Sequence, residues 1–227
     1  SVLPTESPPS RSGFPSRSLV THRFMFAAGV HSHVSTETFA AIRDSGVVAV
    51  LRGVESETLL EIGEALLAGG VTTLEVTADT PGAAEKVRTL ATELGEEATV
   101  GAGTVLDSET AQSVIAAGAS FVVSPSLHAD VIETANRHGA VVAPGIMTPT
   151  EAVEAYEQGA DLVKVFPAKT VGPEHVAAMR GPLSQIPMLP TGGVDPDNAG
   201  AFLEAGAVAV GAGSALVPGE AVAAEDF

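Results

Sequence analysis

From Ser35 onward the chain alternates short β-branched runs with longer stretches that are apolar on one face. The runs are VVAVL (47–51), VTTLEV (71–76), ATVGA (98–102), SFVVS (120–124), AVVAP (140–144), DLVKVF (161–166), PMLP (187–190) and AVAVG (207–211). Between them lie EALLAGG, EKVRTLATEL, ETAQSVIAAGA, ADVIETANRHG, PTEAVEAYEQGA, PEHVAAMRG and PDNAGAFLEAGA. Most of these place apolar residues at helical spacing and end near a glycine. A helix-ending AGG or AGA recurs at 68–70, 117–119 and 205–207. Ahead of the first run, Ser35 or Thr36 caps a predicted helix with Glu37 in its first turn and Phe39 and Ile42 on one face, ending near Gly46.

Alternating strands and helices imply βαβ units and a parallel sheet. Eight such strands are the count of a (β/α)8 barrel, and a chain this short leaves room only for short loops. An open doubly wound sheet would carry a GxGxxG turn after its first strand. Here the first strand runs into Arg52-Gly53-Val54-Glu55, so the α/β barrel is the expected fold. Little helical sequence follows the last run before Phe227, which predicts a closing helix that is very short or missing. The expected organisation is one catalytic barrel over 31–227, with an extra helix before its first strand. Residues 1–30 are rich in Ser, Pro and Arg without any period and read as a disordered extension. They lack the apolar core of a secretory signal.

Composition narrows what such a barrel does. Lys plus Arg total 11 against 28 Asp plus Glu, a formal charge of -17. That charge repels polyanions and argues against binding to nucleic acid or an anionic membrane. Aromatic residues are 4%, with no Trp, which is poor material for a base-stacking platform. The longest apolar runs are far too short to span a bilayer. The absence of cysteine excludes disulfides and thiolate metal sites and is compatible with a cytoplasmic protein. His31 and His33 form an HxH pair at the edge of the extension, while His22, His128, His138 and His175 are scattered. None of this has the spacing of a metal site, so metal-dependent chemistry is disfavoured.

In a barrel the chemistry lies at the carboxyl ends of the strands. The residues there are Arg52, Glu75, Thr104, Ser124-Pro125, Pro144-Gly145, Lys164, Thr191-Gly192-Gly193 and Gly213-Ser214. Lysine occurs only at 86, 164 and 169, so a lysine inside an apolar strand needs a reason. If Val163 and Val165 face the outer helices, Leu162, Lys164 and Phe166 point inward. Desolvation there favours the free amine, the form that attacks a carbonyl carbon. By the same alternation Thr73, Glu75 and Thr77 share the inner side, so Glu75 becomes a buried acid that can serve proton transfer beside an imine. Arg52 has the planar fork for a carboxylate or phosphate, and the Thr104 hydroxyl can orient a substrate carboxylate. The turns PTGGVDPDN and GAGSALV match the place where barrels bind phosphate through backbone N–H groups.

These stretches resemble the 2-keto-3-deoxy-6-phosphogluconate (KDPG) and 4-hydroxy-2-oxoglutarate (KHG) aldolases, class I aldolases on a TIM barrel. The resemblance runs from about Val47 to Val217 through VVAVLRG, GGVTTLEVT, VGAGTVL, FVVSPSL, PGIMTPTE, VKVFPA, GPLSQIPMLPTGGV and VGAGSALV, in the family's order. It implies that Lys164 is the Schiff-base lysine and Glu75 the acid/base group. It implies further that Thr104 contacts the pyruvate moiety and that Gly192, Gly193, Gly213 and Ser214 hold the phosphate. Arg52 matches an active-site arginine of some members, and Pro125 and Phe166 complete the expected substrate contacts. The implied reaction is cleavage of KDPG to pyruvate and glyceraldehyde 3-phosphate, as in Entner-Doudoroff sugar-acid catabolism, without metal or organic cofactor, in a cytoplasmic homotrimer. One position departs. Many members carry an arginine four residues after the glutamate, and here it is Asp79. The rivals are an aldolase for the galactonate epimer or for KHG, a metal-independent sugar-phosphate isomerase or epimerase on the same barrel, and a regulatory sugar-phosphate-binding barrel without activity.

Overall fold

The computed structural model describes residues 33–224, so the extension expected over residues 1–30 lies outside the described residues. Helix α1 (His33–Ser45) leads into β1 (Val47–Leu51), and strands and helices then alternate. They run α2 (Leu59–Ala68), β2 (Thr73–Thr77), α3 (Ala83–Glu93), β3 (Thr99–Gly103), α4 (Ser108–Ala116), β4 (Phe121–Val123), α5 (Ala129–His138) and β5 (Val141–Ala143). The second half is β6 (Gly145–Ile146), α6 (Pro149–Glu157), β7 (Val163–Val165), α7 (Ala168–Arg180), β8 (Met188–Pro190), α8 (Ala199–Glu204), β9 (Val210–Ala212) and the six-residue α9 (Gly219–Ala224).

Every strand pairing is parallel, in the orders β5-β4-β3-β2-β1-β9 and β6-β7-β8. The two ladders meet at both edges. Lys164 N–H donates to Pro144 C=O at 2.9 Å, Val208 N–H donates to Met188 C=O at 3.0 Å, and Thr191 bridges to Gly211. The molecule is thus an α/β fold around a curled parallel sheet.

Two expected elements differ. The run 140–144 forms the single strand β5 and stops at Pro144, and the two-residue β6 beyond it lay outside every expected run. Proline has no N–H to give to a ladder. Helix α7 is likewise interrupted at Gly172 (φ 74°), and the expected segment beginning at Pro173 is its second piece. The left-handed φ there suits glycine and not a residue with a Cβ.

Parallel strands covered by helices are largely buried, and the packing sorts the side chains as the alternation requires. Leu74 and Val76 of β2 pack outward with Leu59, Ile62, Val87 and Leu90 of the helices. Val163 and Val165 of β7 pack outward with Val176 and Met179 of α7. Phe121, Val141, Leu162 and Leu189 form an inner cluster, against which Ile42 and Phe39 of α1 pack. Burying each large apolar side chain contributes about 1.5–3 kcal/mol relative to leaving it in water. Lys86, on α3, is also buried and donates to the Val54 carbonyl at 2.6 Å, which ties the loop after β1 to that helix.

Candidate active site

Lys164 sits mid-way along β7, opposite Gly145 and Leu189 of its neighbours, and is 4% exposed. Its ammonium makes no hydrogen bond or ion pair with the described residues and lies 5.1 Å from the centroid of the Phe166 ring. Lys164 and Phe166 line a cavity of about 390 Å³ that Arg52 and Thr191 also face. The same cavity is lined by Gly192 and Gly193 after β8 and by Gly213 and Ser214 after β9. Gly192 (φ 93°) and Gly193 (φ 74°) adopt the left-handed backbone that the tight turn needs. They also have close neighbours. A Cβ on Gly192 would lie 3.0 Å from the Phe166 ring, and one on Gly193 would lie 2.6 Å from Cβ of Lys169. The turn therefore exposes bare backbone, the surface that an oxyanion approaches.

Glu75 faces inward from the middle of β2 and is 1% exposed. Its Oε1 has no hydrogen-bond partner among the described residues. Burial pushes its carboxyl above the usual carboxylate range, while the charges of Lys164 and Arg52 pull the other way and offset only part of the rise. The side chain leans toward the carboxyl ends of the strands. Although Glu75 pairs with Gly101, its carboxylate lies over Gly103, where an added Cβ would stand 1.8 Å from Oε1.

Arg52 follows β1, and its side chain is half-exposed at the cavity. It is held from two sides. Nη1 pairs with the carboxylate of Asp79, and Nη2 donates to Thr104 Oγ1 at 3.0 Å. Thr104 reaches that position with φ 56°, in the left-handed region, which a β-branched residue rarely enters.

The structure thus brings Lys164, Phe166, Arg52, Gly192, Gly193, Gly213 and Ser214 to one cavity, with Thr104 reaching its rim through Arg52. Pro125 is placed elsewhere. It does not line this cavity, and its carbonyl packs against β6, 2.2 Å from where a Cβ on Gly145 would be. Sequence reasoning missed Gly103 and the clasp of Asp79 on Arg52, and it gave Thr191 no role. The alternating glycines of the VGAGT stretch were the available signal for the first. Nothing local signals the second. Among the described residues no group of three or more His, Asp or Glu is placed to hold a metal ion. His128 hydrogen-bonds Ser126 at 2.9 Å and His175 the Met147 carbonyl at 2.8 Å. No helix among the described residues is long and apolar enough to cross a membrane.

Residues 39–227 match the family described as KDPG and KHG aldolase. The chain belongs to that family. It is accordingly an aldolase, a carbon-carbon lyase. The KHG/KDPG aldolase of Escherichia coli K12 is 38% identical over 182 residues, 80% of this chain and 85% of the relative. The 2-dehydro-3-deoxy-6-phosphogalactonate aldolase of the same organism is 33% identical over 171 residues, 75% of this chain and 83% of the relative. A crystal structure of KDPG aldolase from Legionella pneumophila, with pyruvate captured at low pH as a covalent carbinolamine intermediate, superposes with a TM-score of 0.78 at 32% identity, covering 83% of this chain and 92% of that one.

The fit of Gly103 under Glu75 gives an expected outcome. Its backbone is ordinary, with no left-handed φ, so alanine is tolerated locally, and the added methyl must displace the Glu75 carboxylate. Gly103→Ala is expected to lower kcat/KM of the aldol cleavage by about 10- to 100-fold, with unchanged far-ultraviolet circular dichroism. Full activity in the folded variant would show that the carboxylate position does not matter.

Proposed function

We propose that this aldolase cleaves KDPG to pyruvate and glyceraldehyde 3-phosphate through a Schiff base on Lys164. The observation that carries it is an unpaired amine on the wall of a cavity that also holds bare glycine turns, with a buried carboxylic acid on the inner face of the same curled sheet. The Lys164 amine attacks C2 of the keto acid to give a carbinolamine, and loss of water leaves an iminium. Glu75 takes the C4 hydroxyl proton, directly or through water. The electron pair left on oxygen by the broken O–H bond forms the new C4=O bond, the C3–C4 bond breaks, and its electron pair moves into the iminium to form an enamine. Glyceraldehyde 3-phosphate leaves. Protonation of the enamine at C3 and hydrolysis of the resulting iminium release pyruvate and restore the amine. Each step balances without an oxidant or a metal.

The remaining residues take places in this scheme. Gly192, Gly193, Gly213 and Ser214 present N–H groups to the phosphate. Arg52 and Thr104 take the carboxylate, and Phe166 shields the imine. The geometry supports Pro125 less, since it lies away from the cavity. The hydrogen bonds that join the two ladders support a closed (β/α)8 barrel with α1 as its extra helix and α9 as a short last helix. Residues 31–227 form its single catalytic domain. The family resemblance carries with it a cytoplasmic enzyme and a homotrimer.

The galactonate epimer is the second reading, because one of the relatives above acts under that name. The deciding experiment couples pyruvate release to lactate dehydrogenase for both epimers. KDPG is expected to give the higher kcat/KM. A preference for the galactonate compound would reassign the substrate, and no pyruvate from either would move the reading to KHG, the other substrate in the family's description.

A further inference from the structure

The ends of β1, β2 and β3 are laced together beside the cavity. The Thr77 and Thr80 hydroxyls hydrogen-bond each other at 3.0 Å, and Gly53 N–H donates to Thr80 Oγ1 at 3.2 Å. The loop carrying Arg52 is thereby fixed to the turn carrying Asp79. Within that frame the Arg52 guanidinium is held on one side by the Asp79 carboxylate and on the other by the Thr104 hydroxyl. An exposed arginine has many rotamers and gains little from a single ion pair. Two acceptors from two other strands restrict it to one. The strained backbone of Thr104 is part of that arrangement. A guanidinium has five donors, so those not engaged by Asp79 and Thr104 remain for a ligand in the cavity that Arg52 lines.

We propose that Asp79 is the positioning residue of Arg52, holding its guanidinium across the cavity mouth so that the free N–H groups meet the carboxylate of a 2-keto acid. This rests on the Proposed function, in which Arg52 takes that carboxylate. Asp79 does not touch the substrate and acts only through Arg52. An acid standing free at the entrance to an anion site would simply repel the ligand. With its charge spent on Arg52, this one sets the direction of the fork.

The test compares Asp79→Ala, Asp79→Asn, Arg52→Ala and the double variant, with KDPG in turnover and with pyruvate in borohydride trapping. Asp79→Ala is expected to raise KM for KDPG and the half-saturating pyruvate concentration about tenfold while kcat changes less than about threefold. Asp79→Asn, which keeps an acceptor oxygen, is expected to recover most of the loss. The double variant should be no worse than Arg52→Ala alone, since coupled residues do not add. Three results would overturn the proposal: effects that multiply in the double variant, a KM that falls in Asp79→Ala, or a loss confined to KDPG that spares pyruvate and so points to the phosphate. Calorimetric titration of KDPG into Lys164→Met protein, with and without Asp79→Ala, reads anion binding without an imine. It keeps the role of Asp79 measurable even if the Schiff-base reading fails, and that failure would show separately as a missing borohydride adduct in the unaltered protein.

Discussion

Lys164→Met is expected to abolish pyruvate release and to leave a protein that borohydride no longer labels in the presence of pyruvate. Methionine retains an unbranched stem of similar length, so the inward side of β7 keeps an apolar stem in register with Leu189 of β8 while the nucleophile disappears. Neither of the other two lysines is placed to replace it. Lys86 is buried on α3 with its ammonium on the Val54 carbonyl, and Lys169 is exposed on α7 with its stem against Gly193. The loss in kcat is therefore expected to be at least about 10⁴-fold, since the covalent route itself is removed. Lys164→Arg keeps a cation without a nucleophilic amine and should be equally inactive. Intact-mass spectra before and after reduction check both variants. A pyruvyl adduct in Lys164→Met, or turnover within tenfold of the unaltered protein, would place the imine on another residue.

The inward direction of Lys164 was readable because a strand has a strict two-residue period. Once Val163 and Val165 are assigned to the helices, Lys164 has only one side left, and the same holds for Glu75 between Leu74 and Val76. Strand β1 could be read to the residue as an uninterrupted apolar run. Reach was not readable. Periodicity gives the face of a side chain but not its rotamer, so the lean of Glu75 over Gly103 and the grip of Asp79 on Arg52 emerge only when β1, β2 and β3 are set side by side. Asp79 and Arg52 are 27 positions apart in sequence, and no local pattern links them. Pro125 shows the converse. It stands at a strand end like the others, yet the path of the chain after β4 lays its carbonyl on Gly145 rather than on the cavity. Pro144 closes β5 where the apolar run ends, since it has no N–H to give to a ladder, and the two-residue β6 beyond it was too short to show as a run.

Glu75→Gln separates catalysis from stability in opposite directions. The amide keeps the shape but cannot take the C4 hydroxyl proton, so kcat for KDPG is expected to fall by about 10²- to 10⁴-fold. Pyruvate trapping on Lys164 should survive better, since forming the imine with pyruvate breaks no carbon-carbon bond. In the unaltered enzyme, activity needs the ionised acid. The acid limb of the kcat/KM profile should therefore lie above the usual carboxylate range, where burial holds Glu75, and should vanish in the variant. The stability sign follows from the same shift. In the unfolded chain Glu75 titrates near the ordinary glutamate value of about 4.3. Folded, it holds its proton to higher pH. Between those two points the native state binds more proton than the unfolded state, so stability falls as pH rises through that window, and the penalty is complete above the folded value. Glutamine carries no such penalty. The melting temperature of Glu75→Gln relative to the unaltered protein should thus be higher at pH 8 than at pH 4. A flat or reversed difference would mean that Lys164 and Arg52 fully compensate the buried charge, and Glu75 would then enter each turnover as an ordinary ionised carboxylate rather than as a group that holds and returns a proton.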